Sequence, residues 1–463
     1  MALAALGIVT GFLYRYIAQP ATLLTDDSGG YIDWSPIRSP GYPAFLEVVG
    51  WLNPDFSAVF WFQSPLLVLA TSFVAAATGR LAERRWIAVA LALSIFLIIP
   101  LWKWSGQVRP EVLFIALVQL FLGAIACLLA TGRIGWGWLA GVALGAAVLV
   151  RPVGMAFLPS LLLVAIFGGR RCGARQAIAL LAPPVALIAL CIAINGTHRG
   201  YYSPQAFTGL TLLGKTTSLI PKEGLGDPIS AEMGSTFFPL HEAVQDADGP
   251  VLYWVARQGY DVALWDAYIP LSRRLALTIV DADSAAMAVA LKAIRHDPAG
   301  YARLVFTNWL AMWTWPWLTT ASITSSSVQV IEQPALRALL GRKAKLSDSS
   351  IIPPALYWTK LSAATVAFFL CLVPLLLVLI DRGRDPLLTY AAASGLALHT
   401  YNVLVGAVQF ADNRYAQVVT PILSISLLLS VMCLVRWFRR LPGNNPNKIP
   451  VRLQVVDKEG RDS

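Results

Sequence analysis

The sequence predicts an all-α integral membrane protein, and three observations carry that prediction. Hydrophobic residues make up 57% of the chain and charged residues only 13%, where soluble domains carry about 25% charged residues. The mean hydropathy is +0.62. The apolar runs are about twenty residues long, the length of a helical span and about twice that of a membrane-barrel strand. Helices also satisfy their own backbone hydrogen bonds in lipid, which open strands do not.

Basic residues punctuate those runs. They cluster at Arg80, Arg84 and Arg85, at Arg133, at Arg170, Arg171 and Arg175, at Arg382 and Arg384, and at Arg436, Arg439 and Arg440. The positive-inside rule assigns all of them to the cytoplasmic face. The net charge of +10 is therefore a topology signal and not a nucleic-acid footprint. Ten spans reconcile the clusters, at 1–19, 56–78, 86–101, 111–131, 134–150, 152–168, 176–195, 354–380, 386–408 and 415–436, with both termini inside. The first run has no basic n-region and no small-residue cleavage site, so a retained span is expected and not a cleaved signal. The fifth and sixth spans meet at Arg151-Pro152, where proline breaks the helix. A tight hairpin and a re-entrant segment both fit there. Gly137, Gly141 and Gly145 are spaced for close helix packing. The five cysteines lie in apolar runs or a short basic loop, and no disulfide framework is expected.

The expected organisation is a transmembrane module at 1–195 that contains a catalytic outer loop at 20–55. A periplasmic insertion at 196–320 ends in an interfacial helix. An outer loop follows at 321–353, then C-terminal transmembrane helices at 354–437 and a cytoplasmic tail at 438–463. The tail is polar and rich in Pro and Gly, a composition expected to be disordered. Between His198 and Asp297 there are eight Lys and Arg against eleven Asp and Glu, a net of −3. Helical patterns at about 250–267 and 270–296 make the insertion mainly helical. The segment from Tyr301 to Leu318 holds Trp309, Trp313, Trp315 and Trp317 beside Arg303 and Asn308. Tryptophan is enriched at membrane interfaces, so this segment is expected to lie along the outer surface.

The chemistry is expected in the first loop. Thr25-Asp26-Asp27-Ser28-Gly29-Gly30-Tyr31 leads into Arg38-Ser39-Pro40-Gly41-Tyr42-Pro43. Asp, Ser and Gly are turn formers, and short acidic clusters are commonly just solvated. The Arg, the prolines and the aromatics that follow instead make a stiff loop. Outward-facing ionisable residues recur elsewhere, as Asp33 and Glu47, then Lys103, Arg109 and Glu111, then Asp412 and Arg414. A carboxylate can act as general base toward a hydroxylic acceptor. An Arg fork can hold a phosphate, although each cation alone also fits an interfacial anchor. His198, His241, His296 and His399 are scattered and form no metal cluster with cysteine. There is no Walker loop and no dinucleotide fingerprint. No cofactor is expected, and nothing further in the sequence supports a divalent cation at the Asp26–Asp27 doublet.

Four local patterns resemble the GT-C superfamily of polytopic membrane glycosyltransferases, which includes the protein O-mannosyltransferases and the lipid A aminoarabinose transferases. Asp27 to Tyr31 with Arg38 to Pro43 resembles the family's first outer loop. Arg109-Pro110-Glu111-Val112-Leu113-Phe114 resembles the start of its fourth span. Gly141 to Arg151-Pro152 resembles its Gly-rich run, and Asn413-Arg414-Tyr415 resembles the Arg-Tyr before its last span. Beyond these four, His296-Asp297-Pro298-Ala299-Gly300-Tyr301 also resembles the end of its large loop. The resemblance implies an inverting transfer of a sugar from a polyprenyl-phosphate carrier. The acceptor would be a cell-envelope glycolipid, polysaccharide or protein, at the periplasmic face of a bacterial inner membrane. It implies Asp27 as the catalytic acid position, with Asp26 beside it. Substrate contacts are implied for Tyr31, Arg38, Arg109, Glu111, Arg414 and Tyr415, and Lys103 is expected to join them as an outward-facing cation at the same depth, with membrane lipids and no nucleic acid as partners. The Asp26–Asp27 doublet departs from the acid pair of the protein mannosyltransferases, which leaves the acceptor class open. Two other classes compete. A lipid-linked sugar transporter or flippase would show two related halves and a midplane site, and no repeat is visible. A polysaccharide polymerase or ligase would lean on outer-loop Arg and His.

Overall fold

A computed structural model describes residues 2–18, 24–247, 249–314, 334–340, 354–410 and 413–440. Among the described residues every regular element is helical. The first part contains α1 (Ala2–Ala18), α2 (Ser28–Ile32), α3 (Gly41–Leu52), α4 (Val59–Leu81), α5 (Arg85–Phe96) and α6 (Ile99–Ser105). It continues with α7 (Glu111–Thr131), α8 (Ile134–Val150), a 3₁₀ turn (Pro152–Phe157), α9 (Leu158–Phe167) and α10 (Ala174–Arg199). The insertion contributes α11 (Thr208–Thr216), α12 (Pro228–Asp246), α13 (Gly249–Asp261), a π-helical stretch (Val262–Tyr268), α14 (Ile269–Arg274), α15 (Ile279–His296) and α16 (Pro298–Thr314). Then come α17 (Pro334–Leu340), α18 (Pro354–Asp381), α19 (Pro386–Val408) and α20 (Asn413–Arg440).

Among the described residues six helices are long and apolar enough to cross a membrane: α4, α7, α10, the Leu361–Asp381 part of α18, α19 and the Tyr415–Arg439 part of α20. The chain is thus an all-α, multi-pass membrane protein. The ten expected spans are not all of crossing length. The bent pair α5 and α6 makes a seventh only if counted as one span, and Ala2–Tyr14, Ile134–Val150 and Pro152–Phe167 are shorter apolar helices. The most apolar stretches of α10 and α18 are buried along only 28% and 22% of their residues. Their outward faces therefore present apolar surface of an extent that soluble monomers rarely expose.

The helices pack as α4 on α7, α7 on α8 and α8 on α10, with α19 held by α9, α16, α18 and α20. The glycine row of α8 is the seam with α10. A Cβ on Gly141 would meet the Leu180 carbonyl at 2.7 Å, and one on Gly145 the Leu187 side chain at 2.6 Å. The basic clusters gather at one end of the bundle, where Arg171 donates to Leu129 and Ala130 carbonyls at 2.6 Å and Arg436 to the Ala82 carbonyl at 3.0 Å.

The run 86–101 is not a single span, because α5 and α6 meet at 62°. Pro100 has no amide proton to give the carbonyl of Phe96, and its ring clashes with that turn. The indole of Trp102 supplies the missing bond instead, donating to the Phe96 carbonyl at 2.8 Å.

The insertion has a core of its own, built around Leu213, Phe237, Leu240, Leu252, Val255 and Ala290. Its contact with the bundle includes α16. Tyr301 donates to the Ala407 carbonyl at 2.8 Å, and Trp313 packs on His399 at 4.9 Å. Moving forward along α16 therefore means moving backward along α19. His399 and Ala407 are eight positions apart, about 12 Å of helix, so α16 runs along the flank of α19 and not across its end. Gly406 permits this, since a Cβ there would touch Trp309 at 3.2 Å. Trp315, Trp317, Asp412 and the tail from 441 lie outside the described residues.

Candidate functional site

The loop between α1 and α4 is folded, with α2 and α3 inside it. Asp27 occupies the N-cap position of α2 but makes no capping bond with its side chain. Its carboxylate instead accepts from Arg38 Nη2 at 2.6 Å. The Arg38 guanidinium also lies 4.7 Å over the Tyr31 ring, and Tyr31 meets Tyr42 edge-on at 5.2 Å. Burial pushes the Tyr31 phenol up, against the opposing pull of Arg38.

Three anchors hold this loop. Ser28 donates to the Val108 carbonyl at 2.9 Å, and Ser39 to the Leu149 carbonyl at 2.6 Å. The Pro36 carbonyl accepts from the Ala206 amide at 2.9 Å and the Tyr201 hydroxyl at 3.3 Å. The loop is thus tied to α7's approach, to the end of α8 and to the insertion. Gly41 allows the second tie, because a Cβ there would meet the Leu149 carbonyl carbon at 2.6 Å.

Beside the loop lies a cavity of about 320 Å³ at the end of the bundle that carries the insertion. Asp27, Tyr31 and Arg38 line it from the loop, Glu111 from the first turn of α7, Arg151 from the end of α8, and Tyr415 from α20. Pro152 restricts the residue before it to extended backbone, and Arg151 has φ −147° and ψ 117°. That conformation ends α8. Arg151 then donates to Glu111 at 3.3 Å, with the Glu111 side chain 2% exposed. The Arg151 guanidinium also lies 5.0 Å over the Tyr415 ring. A pair this buried is costly to break, because the surviving charge is left without compensation.

Two further walls complete the cavity. Val150, Val153, Met155, Leu404, Val405 and Val408 are apolar lining from the end of α8, the 3₁₀ turn and α19. Phe207, Arg257, Tyr260, Asp261 and Trp265 come from the insertion. Behind that wall, Lys215 is 1% exposed. It donates to the Gly406 carbonyl and, at 3.0 Å, to the Gln409 carbonyl, with Phe410's ring 4.9 Å away. Burial pushes the Lys215 amine well below its usual range.

Of the residues singled out in the sequence, Asp27, Tyr31, Arg38, Glu111 and Tyr415 share this cavity, while Asp26, Lys103 and Arg109 do not line it. Asp26 is exposed, so the doublet splits into one inward and one outward carboxylate. Lys103 is exposed on α6, opposite the buried Leu101, Trp102 and Trp104. The Arg414 side chain lies outside the described residues. Among the described residues no three His, Cys, Asp or Glu side chains converge as a metal site. Arg151 was visible in the sequence as a helix break and as the end of the Gly-rich run, not as half of an ion pair, yet its pair is the most buried among the described residues. Lys215 was signalled by being the sole charged residue between 200 and 221.

No family model matches the chain, and neither a curated protein nor a solved structure matches it.

Proposed function

We propose that the protein is an inverting glycosyltransferase that moves a sugar from a polyprenyl-phosphate carrier to a cell-envelope acceptor, on the periplasmic face of a bacterial inner membrane. The observation that carries the reading is the mixed lining of the cavity. It combines two carboxylates and two guanidiniums, from Asp27, Glu111, Arg38 and Arg151, with apolar side chains that include Met155, Leu404 and Val408. A ligand with a phosphate head and an isoprenoid tail draws on both kinds of lining. The resemblance of the Asp27–Pro43 loop to the GT-C superfamily points the same way.

In the proposed reaction the acceptor hydroxyl oxygen bonds to the anomeric carbon as the carbon–oxygen bond to phosphate breaks. The carrier phosphate leaves with that electron pair, and the acceptor proton passes to the Asp27 carboxylate. Arg151 stabilises the departing phosphate, since a guanidinium fork matches its geometry, while Arg38 holds the Asp27 carboxylate in position on the attacking side. Glu111 orients Arg151. A transporter would place its site half-way along the spans, whereas Glu111, Arg151 and Gln409 stand at helix ends.

The test is release of polyprenyl phosphate by the full-length protein in lipid nanodiscs, from a panel of polyprenyl-phosphate hexoses and pentoses with envelope extract as acceptor. Transfer that falls by about 10²–10⁴-fold in Asp27→Asn is the expected result. A protein that neither binds nor turns over any donor would overturn the reading.

A further inference from the structure

The insertion wall of the cavity has chemistry that a phosphate and an isoprenoid leave unused. Val262–Tyr268 is a π-helical stretch, a rare conformation concentrated at functional sites. Within it Val262, Ala263 and Leu264 are buried in the insertion core, but Trp265 is 44% exposed. Trp265 lines the cavity, with Phe207 beside it at 6.1 Å and 32° between ring planes. One turn earlier Asp261 accepts from Arg257 at 2.7 Å, and both line the same cavity.

We infer that Trp265 and Phe207, with the Arg257–Asp261 pair, form a subsite for a neutral sugar ring. A sugar ring has one face rich in C–H groups and an edge of hydroxyls. The indole and phenyl faces suit the first, as electron-rich aromatic surfaces accept weakly polar C–H groups. The ion pair suits the second, with a carboxylate that accepts and a guanidinium that donates to neighbouring hydroxyls. The pair's charges cancel, so the wall does not favour an anionic ligand. An isoprenoid tail would have no use for the pair. An ordinary i,i+4 pair on a solvated helix would not face a cavity with a half-exposed indole beside it. The origin of the ring, donor or acceptor, rests on the transferase reading, while the subsite itself does not.

Saturation-transfer NMR on the full-length protein in nanodiscs tests this with methyl glycosides of glucose, galactose, mannose, N-acetylglucosamine and arabinose. At least one glycoside should show contact at its ring C–H protons. Trp265→Ala should weaken that binding by about tenfold, the scale of a single aromatic contact, and Trp265→Phe should keep most of it. Displacement of the glycoside by a polyprenyl-phosphate sugar assigns the subsite to the donor's ring, and its persistence assigns it to the acceptor's. No contact with any glycoside, or equal binding by correctly folded Trp265→Ala and Phe207→Ala variants, overturns the inference. Glycoside binding that depends on Trp265 in a protein with no transfer would keep the subsite and remove the transferase reading.

Discussion

Arg38 donates to Asp27 at 2.6 Å across eleven residues of the first loop, while the adjacent Asp26 carboxylate faces outward, exposed. The geometry separates two residues that are chemically identical in the sequence. Asp26→Asn should therefore retain most of the transfer that Asp27→Asn loses. Arg38→Lys should lie between the two, since a lysine keeps the charge but not the planar fork. Initial rates of all three variants, at one saturating donor concentration, decide the order. Asp26→Asn as the more damaged variant would reassign the base.

The Arg151–Glu111 pair makes a second prediction through stability. The two side chains are 12% and 2% exposed, so removing one partner strands the other. Arg151→Met and Glu111→Leu should each destabilise by about 3–5 kcal/mol. The double variant should recover a large part of that loss, because no buried charge remains. Its transfer activity should stay low if Arg151 holds the carrier phosphate. Unfolding of the four proteins in a denaturant series closes the cycle. Additive losses would show that the two charges do not act as a pair.

What the sequence made legible follows a physical pattern. Apolar length marked every helix of crossing length, because lipid imposes it. Asp27, Arg38, Glu111 and Tyr415 were legible because charged or polar groups beside a span end stand out from an apolar background. The Arg151–Glu111 pairing was not, since the two are forty residues apart and meet through α7–α8 packing. Lys103 misled for the opposite reason. Sidedness in sequence fixes which face a residue belongs to, but the 62° bend before α6 leaves Lys103 pointing away from the cavity. Arg257, Asp261 and Trp265 look like any polar helix surface until the insertion is placed over the bundle.

Gly41 gives a prediction about that placement. Its Cα faces the backbone of α8, with Leu149 O and Val150 N each 2.7 Å from a Cβ built there. Backbone atoms cannot swing aside, so Gly41→Ala must push α3 off α8 and break the Ser39–Leu149 bond. Because Arg38 precedes that contact, the Asp27–Arg38 geometry moves with it. Overpacking of this kind costs about 1–3 kcal/mol. Gly135→Ala is the matched control, as nothing lies within 4 Å of its Cβ position. Gly41→Ala should lose transfer with donor binding weakened as well, and Gly135→Ala should behave as wild type. Normal activity in Gly41→Ala would mean that the loop tolerates displacement from α8.

Lys215 gives the last prediction, through pH. Among the described residues it has no ion-pair partner, and its amine is fully enclosed between α11 and the end of α19. Burial pushes its pKa well down, against the pull of the two carbonyls and the Phe410 ring that favour a cation. In the unfolded chain the amine titrates near 10.4, as any lysine does. Between the folded value and that point the unfolded state binds a proton that the folded state does not. Unfolding then takes up a proton, and stability rises with pH across this window. Below the folded value the cost of burying the ammonium is constant, and above about pH 10.4 it is gone. The apparent melting temperature of the detergent-solubilised protein should therefore climb from pH 7 to pH 10 more steeply than that of Lys215→Met. The methionine keeps the length and removes the titration, while Asn308 still donates to the Gly406 carbonyl at 3.3 Å. Lys215→Met should also equal or exceed the wild type at pH 7, because no amine is desolvated. Lys215→Glu should fail to fold, as it sets a buried carboxylate against two carbonyl oxygens. Parallel pH profiles for the wild type and Lys215→Met would mean that the amine stays charged in the fold, held by those carbonyls.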